Sequence, residues 1–374
     1  MLEIERAEGV WLFDTDGGKY LDLISGVSVS NIGHRHKKVV EAIRNQTERY
    51  LHLMVYGEIV QSPQVEYAAD LVKLLPDTLS SVYFVNSGSE AVEGAIKLAK
   101  RFTGRPGVVA FKNGYHGSTI GALSIQGDEK YKSAFRPLMP SVDFAIFNNP
   151  ESLDIIDYNT AAVVIEPVQG EGGVILPENG FLKLVRERCD ETGSLLIFDE
   201  IQTGFGRVGT LFAIDKYGVK PDILLLAKAL GGGMPLGAFI SSYEIMSSLS
   251  NNPILGHITT FGGHPVSCAA GHAALKVVLS EKLHQVANKS GERFKSKLKH
   301  PLIKTVRGEG LFIAVELVSE ELIHLFIRKG IKNGLLLDYF LFNSLAFRIA
   351  PPLNITDKEI DFASEIILKT LDQL

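Results

Sequence analysis

The sequence has little cysteine, two residues in 374, at Cys189 and Cys268. They stand far apart, outside any CxxC pair and away from any histidine pair. That excludes a disulfide framework and a structural metal site, and leaves two buried thiols. Basic residues are not in excess either: 38 Lys and Arg against 43 Asp and Glu give a net charge of −5, so the chain lacks an electrostatic footprint for nucleic acid. No apolar run approaches the roughly 18 residues that a membrane span needs. The start, Met1-Leu2-Glu3-Ile4-Glu5-Arg6, has neither the basic region nor the apolar core of a signal peptide, which predicts a cytoplasmic protein. Internal repeats and low-complexity linkers are missing as well. What remains is an ordinary globular composition, 45% hydrophobic and 22% charged, in a chain long enough for two domains.

The informative stretch runs from Leu195 to Lys228. Leu195-Leu196-Ile197-Phe198 reads as a buried strand that delivers Asp199 and Glu200 at its carboxyl end, where ligands gather on parallel sheets. A second apolar run, Asp222 to Ala227, ends on Lys228 and is followed by Gly231-Gly232-Gly233-Met234-Pro235. An acid and an amine at the ends of two strands suit a cofactor with a basic ring nitrogen and an aldehyde: the lysine condenses with the aldehyde and the carboxylate holds the ring proton. Pyridoxal phosphate is such a cofactor. Upstream, Val82-Tyr83-Phe84-Val85 reads as a strand, and Val92, Ala95, Ile96 and Ala99 continue as a helix beyond Asn86-Ser87-Gly88-Ser89-Glu90-Ala91. A strand, a small-residue turn and a helix start make an anion seat from free amides and the positive end of the helix dipole; by itself the same stretch is also a good capping sequence.

Other strand-like runs end on chemistry-bearing residues. Val108-Val109-Ala110-Phe111 leads to Tyr115-His116-Gly117-Ser118, with an aromatic placed to stack on a planar ring or simply to pack. Ala161 to Ile165 leads to Glu166, Gln169 and Glu171 among glycines that let backbone pass close to a ligand. Val10-Trp11-Leu12-Phe13 and Lys19 to Leu23 flank a turn signal and read as a hairpin. Helical spacing appears over Val39 to Leu51, Val65 to Leu75, from Pro265 through Ala274, and over Glu281 to Leu298, and strands are expected at Leu311 to Leu317 and Ala346 to Ile349. His34 and His36 lack a third ligand nearby and read as loop histidines.

The order Ser87-Gly88-Ser89-Glu90-Ala91, Glu166-Pro167 with Glu171, DEIQTGFGR from Asp199, Lys228 and Thr260 resembles the class III, acetylornithine/ornithine-like, pyridoxal-phosphate-dependent aminotransferases. The resemblance covers nearly the whole chain. It implies an α/β fold of the aspartate aminotransferase type, with a large domain on a mainly parallel seven-stranded sheet and a smaller α+β domain. The expected bounds are 1–40 for an N-terminal segment of the small domain, 41–264 for the large domain and 265–374 for the rest of the small one. The resemblance makes Lys228 and Asp199 catalytic. It assigns Gly88, Ser89, Tyr115, His116, Glu166, Gln202 and Thr260 to the cofactor, Thr260 through the neighbouring subunit of a homodimer with shared sites. Glu171, Arg348, Ser118 and Thr259 fall to the substrates, with Glu171 pairing with Arg348 until a substrate α-carboxylate arrives. The implied reaction moves an amino group from an ω-amino compound of the acetylornithine, ornithine or diamine kind to 2-oxoglutarate by a ping-pong mechanism.

Three departures accompany the match. Ornithine-type members carry arginine where Ser118 stands, and that arginine grips a distant substrate carboxylate; asparagine usually stands where this chain has His264; and members usually carry a further piece before the N-terminal hairpin. Aminomutases, racemases and decarboxylases on the same scaffold are the alternative activities. A non-catalytic binding module would be expected to lose Lys228 or Asp199, and a nicotinamide dehydrogenase would need a GxGxxG turn set between a strand and a helix with an acid about 20 residues later, a setting not read in this chain.

Overall fold

The computed structural model describes residues 2–178 and 180–374. Three strands open the chain, β1 (Ile4–Glu8), β2 (Trp11–Asp14) and β3 (Lys19–Asp22). β2 and β3 form the expected hairpin, and Asp14 closes its turn by accepting N–H bonds from Asp16 and Gly18 and the hydroxyl of Tyr20. β1 extends the hairpin by one antiparallel strand. Helices Lys37–Arg49 and Ser62–Val72 follow. Leu51, which the spacing predicts on the first of these helices, lies beyond its end and is exposed, because the helix stops where Tyr50 turns to an extended backbone.

The central sheet is built from β4 (Ser81–Val85), β5 (Gly107–Phe111), β6 (Val142–Ala145), β7 (Thr160–Ile165), β8 (Leu195–Asp199), β9 (Ile223–Leu226) and β10 (Gly237–Ser241). Its seven strands lie in the order β4-β10-β9-β8-β7-β5-β6. β9, β8, β7, β5 and β6 run parallel, and β10 runs antiparallel to both β9 and β4. β7 to β10 are buried along their whole length, as continuous apolar runs covered on both faces must be. The parallel arrangement brings the carboxyl ends of β5, β7, β8 and β9 to one rim, and that rim carries the site. Cys189 and Cys268 are both free and buried, and burial pushes the Cys189 thiol up to about 12.

The remaining strands, β11 (Ile303–Glu309), β12 (Phe312–Leu317), β13 (Leu335–Leu336), β14 (Asp338–Tyr339) and β15 (Ala346–Ile349), come from the last quarter of the chain. β11, β12, β15 and β14 form an antiparallel sheet, while β13 joins the N-terminal sheet by pairing parallel to β3, Leu335 opposite Leu21. Helices Pro265–Ser280, Leu283–Lys297, Glu320–Lys332 and Asp357–Leu371 accompany them. Among the described residues no helix is long and apolar enough to cross a membrane.

Candidate active site

A cavity of about 410 Å³ opens at the carboxyl rim of the sheet, and Gly88, Ser89, Tyr115, His116, Glu166, Asp199, Gln202 and Lys228 all line it. Five separate strand ends therefore converge on residues that the sequence pattern singles out. At one end of the cavity the Gly88–Thr103 helix begins. Ser87 caps it by accepting the Glu90 amide at 3.2 Å, while the amides of Gly88 and Ser89, in the first turn, have no partner within the helix. Space at Gly88 is tight: a Cβ there would come within 2.9 Å of Ile201 Cδ1. Bare backbone therefore faces the cavity where a phosphate would sit.

The acids of the Asp199-Glu200 pair part company. Asp199 points into the cavity, its Oδ2 at 2.7 Å from His116 Nδ1 and its Oδ1 accepting the Ile201 amide at 3.1 Å. Glu200 turns away and is fully buried. It accepts the amides of Ala213 and Ile214 at the start of the next helix and the hydroxyl of Thr203, and burial raises its carboxyl to about 7. Glu166 also rises to about 7 through burial, and is held by the amides of Tyr115 and Gly170, both at 2.9 Å. Burial draws His116 down, but its bond to Asp199 outweighs this and leaves the imidazole more basic than usual. Two buried donors or acceptors in this wall, His116 Nε2 and Gln202 Nε2, have no protein partner; unsatisfied polar atoms in a buried wall are costly unless a ligand meets them. Together with the bare helix start they fit a planar, phosphate-bearing cofactor with a ring nitrogen.

Lys228 sits at the end of β9 with φ +49°, in the left-handed region that only special positions hold against their strain. Burial lowers its amine to about 8, with Glu171 pulling it back up and Arg348 pushing it down. A group of this kind is largely neutral, and so nucleophilic, at mildly alkaline pH. Val29 lines the cavity opposite, next to a left-handed turn in which Ser25, Gly26, Val27 and Ser28 have φ of 50°, 61°, 60° and 65°. This turn carries no obvious sequence signal. It is held by Asp22 Oδ1, which accepts the amides of Ile24 and Ser25, and by Ser25 Oγ, which donates to Ala350 O. Arg207, completely buried, completes the clamp with bonds to Ser25 Oγ, Asn31 Oδ1 and the carbonyls of Leu311 and Pro351.

Glu171 and Arg348 form the pair that the resemblance implies, Oε1 to Nη2 at 2.6 Å, and both are buried. Glu171 Oε2 accepts the amide of Leu341 at 3.0 Å, and Arg348 Nε is buried without a partner. The sequence pattern did not mark Asp338, whose Oδ2 lies 4.0 Å from Arg348 Nη1. Burial raises the Asp338 carboxyl, and Arg348 draws it back. Ser118 is exposed, its Oγ 3.3 Å from the Tyr115 hydroxyl. Two cations further along the chain are engaged elsewhere: Lys132 donates to Gln126 O at 2.8 Å and lies 3.9 Å above the Phe144 ring, while Arg136 is paired with Glu129.

Five of the residues singled out, Glu171, Arg348, Ser118, Thr259 and Thr260, are not among those that line this cavity. Thr259 lines a neighbouring one of about 420 Å³ and accepts from Asn86 Nδ2 at 3.2 Å, which places it one residue's width from the helix start. Thr260 is exposed. His264 stacks on His52 with ring centroids 5.6 Å apart, and burial and the neighbouring His52 lower it. His34 bonds to Asp22 at 2.7 Å, a structural role. Among the described residues no cluster of metal-ligating side chains exists.

Known proteins are similar to this chain over nearly its whole length. The family model described as "Aminotransferase class-III" matches residues 1–371. An acetylornithine aminotransferase from Archaeoglobus fulgidus is 41% identical over 98% of this chain and 94% of its own. The solved ornithine aminotransferase of Toxoplasma gondii superposes with a TM-score of 0.93 at 33% identity, over 100% of this chain and 90% of that one. An amine transaminase from an uncultivated Pseudomonas species, solved in its PLP-bound form, superposes with a TM-score of 0.92 at 29% identity, over 100% and 95%.

Proposed function

This chain belongs to the class III aminotransferases, and from that premise we propose that it moves an amino group from an ω-amino donor to 2-oxoglutarate in the two half-reactions of a ping-pong cycle. Its cofactor is pyridoxal 5′-phosphate. When bound, that group withdraws electrons from the substrate carbon bearing the amino group and stores the amino group between half-reactions. The observation that carries the proposal is the convergence of Lys228, Asp199 and the bare start of the Gly88–Thr103 helix on one cavity.

Each residue's part follows from its surroundings. The amides of Gly88 and Ser89 would seat the phosphate, and Tyr115, which lines the same cavity, would offer its aromatic side chain to the ring. Asp199 Oδ1, whose protein contact is the Ile201 amide, is the oxygen left for the ring nitrogen, while His116 fixes the other oxygen. Gln202 Nε2, buried and unpartnered, is a donor for a ring substituent. Glu166 holds the backbone of Tyr115 and Gly170, and thus the shape of the wall. Lys228 Nζ, lowered to about 8, would take the proton from the amino-bearing carbon and deliver it to the cofactor side, and the reverse in the second half-reaction. Glu171 keeps Arg348 neutralised while a donor without an α-carboxylate is bound. Arg348 then receives the α-carboxylate of the keto acid as a two-pronged contact. A cytoplasmic, homodimeric enzyme belongs to the same proposal, with Thr260 reaching the partner's phosphate.

The test is to follow each half-reaction by the absorbance of the bound cofactor. Lys228→Ala is expected to abolish both, and Asp199→Ala to slow both by roughly 10²-fold, the scale of other preorganised electrostatic contacts. A Lys228→Ala protein that turns over at the wild-type rate would overturn the assignment.

A further inference from the structure

Two carboxylates, not one, face the guanidinium of Arg348: Glu171 at 2.6 Å on Nη2 and Asp338 at 4.0 Å on Nη1. The backbone fixes the second, because Asp338 and Arg348 are direct partners across β14 and β15. Asp338 Oδ1 accepts the Tyr339 amide at 2.8 Å, and Oδ2 accepts no hydrogen bond among the described residues. With Glu171 seated on Nη2 at 2.6 Å, Asp338 at 4.0 Å is left without a hydrogen-bonded counter-charge. The buried Nε–H of Arg348 has no partner, so this cluster is not closed on itself and keeps a donor for the α-carboxylate of the acceptor. The segment after Asp338 adds aromatic faces: Phe340 lies 4.7 Å from the Arg348 guanidinium, and Phe342 lies 5.4 Å from Tyr131 and 6.4 Å from Tyr115. Aromatic faces attract cations and repel carboxylates. At the Ser118 end no arginine offers a fork to a distant carboxylate.

We propose that Asp338 selects the amino donor by charge, accepting the second, cationic amine of a diamine while Glu171 neutralises Arg348. This rests on the aminotransferase reading above and narrows its donor to a diamine free of carboxylate. The same carboxylate opposes the arrival of an α-carboxylate at Arg348. Asp338 therefore strengthens the donor half-reaction at the expense of the acceptor half-reaction.

The two half-reactions of the holoenzyme are measured separately by cofactor absorbance, with putrescine, butylamine and 2-oxoglutarate as probes, for wild type, Asp338→Asn and Asp338→Glu. Loss of a charge-assisted contact is expected to raise the KM for putrescine about tenfold in Asp338→Asn. The KM for 2-oxoglutarate should fall in the same variant, and the KM for butylamine should stay unchanged. Asp338→Glu, which keeps the charge, should keep the preference for putrescine over butylamine. A merely structural residue would move all three KM values together, and that result overturns the proposal, as does a putrescine KM that does not change. If wild type transfers no amino group from any donor to 2-oxoglutarate, the aminotransferase reading itself has failed. If transfer occurs and Asp338→Asn leaves the three values unsplit, only the role of Asp338 has failed.

Discussion

Lys228 is a residue whose charge state is set by where the fold puts it. Burial lowers its amine from the ordinary 10.5 to about 8. A lysine is neutral above its pKa, so the nucleophilic form becomes the major one above about pH 8 rather than above 10.5. Reductive methylation of the cofactor-free protein, read by peptide mass spectrometry, should therefore label Lys228 with a pH midpoint near 8; a midpoint near 10.5 would contradict the burial argument. Lys228 and Asp199 are legible in the sequence because each closes an apolar run, and the end of a buried strand is a local pattern. Glu200 and Asp338 are not legible in the same way. Glu200 neighbours Asp199 in sequence, yet strand alternation sends it to the opposite side, where it caps a helix. Asp338 meets Arg348 only through the register of a short strand pair that carries little periodicity.

Elements with strong periodicity follow the same logic. β7, β8 and β9 are continuous apolar runs, and their sequence pattern gives their place as well as their existence. β1 does not announce itself, because it is mostly exposed and three of its five residues, Glu5, Arg6 and Glu8, are charged. The Asp357–Leu371 helix carries a signal that a sequence reading can use, the capping box of Thr356 with Glu359. The Gly88–Thr103 helix shows how packing overrides propensity. Alanine at position 94 would gain up to about 1 kcal/mol over glycine in a helix interior. Its Cβ, however, would lie 2.7 Å from Phe239 Cδ1, and Phe239 is fully buried with its ring stacked 4.7 Å from Tyr83. Overpacking of this kind costs about 1–3 kcal/mol. Gly94→Ala should thus lower stability in denaturant titration, and Gly94→Val should lower it further. A stabilised Gly94→Ala would mean that the helix can lift off the sheet freely.

At the scale of the molecule, large apolar side chains stand exposed in two neighbouring segments, among them Leu51 61%, Val60 83%, Ile254 76% and Phe261 52%. Patches of this kind mark surfaces that a partner covers, and Thr260 lies within the second segment. If a second copy supplies Thr260, mixing Thr260→Ala with Lys228→Ala subunits should restore one complete site per mixed dimer. Cofactor affinity and activity should then rise above those of either parent. No rise on mixing, with exchange verified by mass, would place Thr260 on its own subunit's site. The same scale shows a bond between beginning and end. β3 pairs with β13, the amides of Ala350 and Leu353 reach the carbonyls of Leu23 and Asn31, and Arg207 binds Ser25 and Asn31 to the carbonyls of Leu311 and Pro351. On a ribosome, the left-handed turn beside Val29 is made early, yet the strands that lock it emerge only after the whole central sheet. A growing chain can assemble its central sheet and still lack a finished pocket, so the power to hold the cofactor waits on strands made after every strand of that sheet.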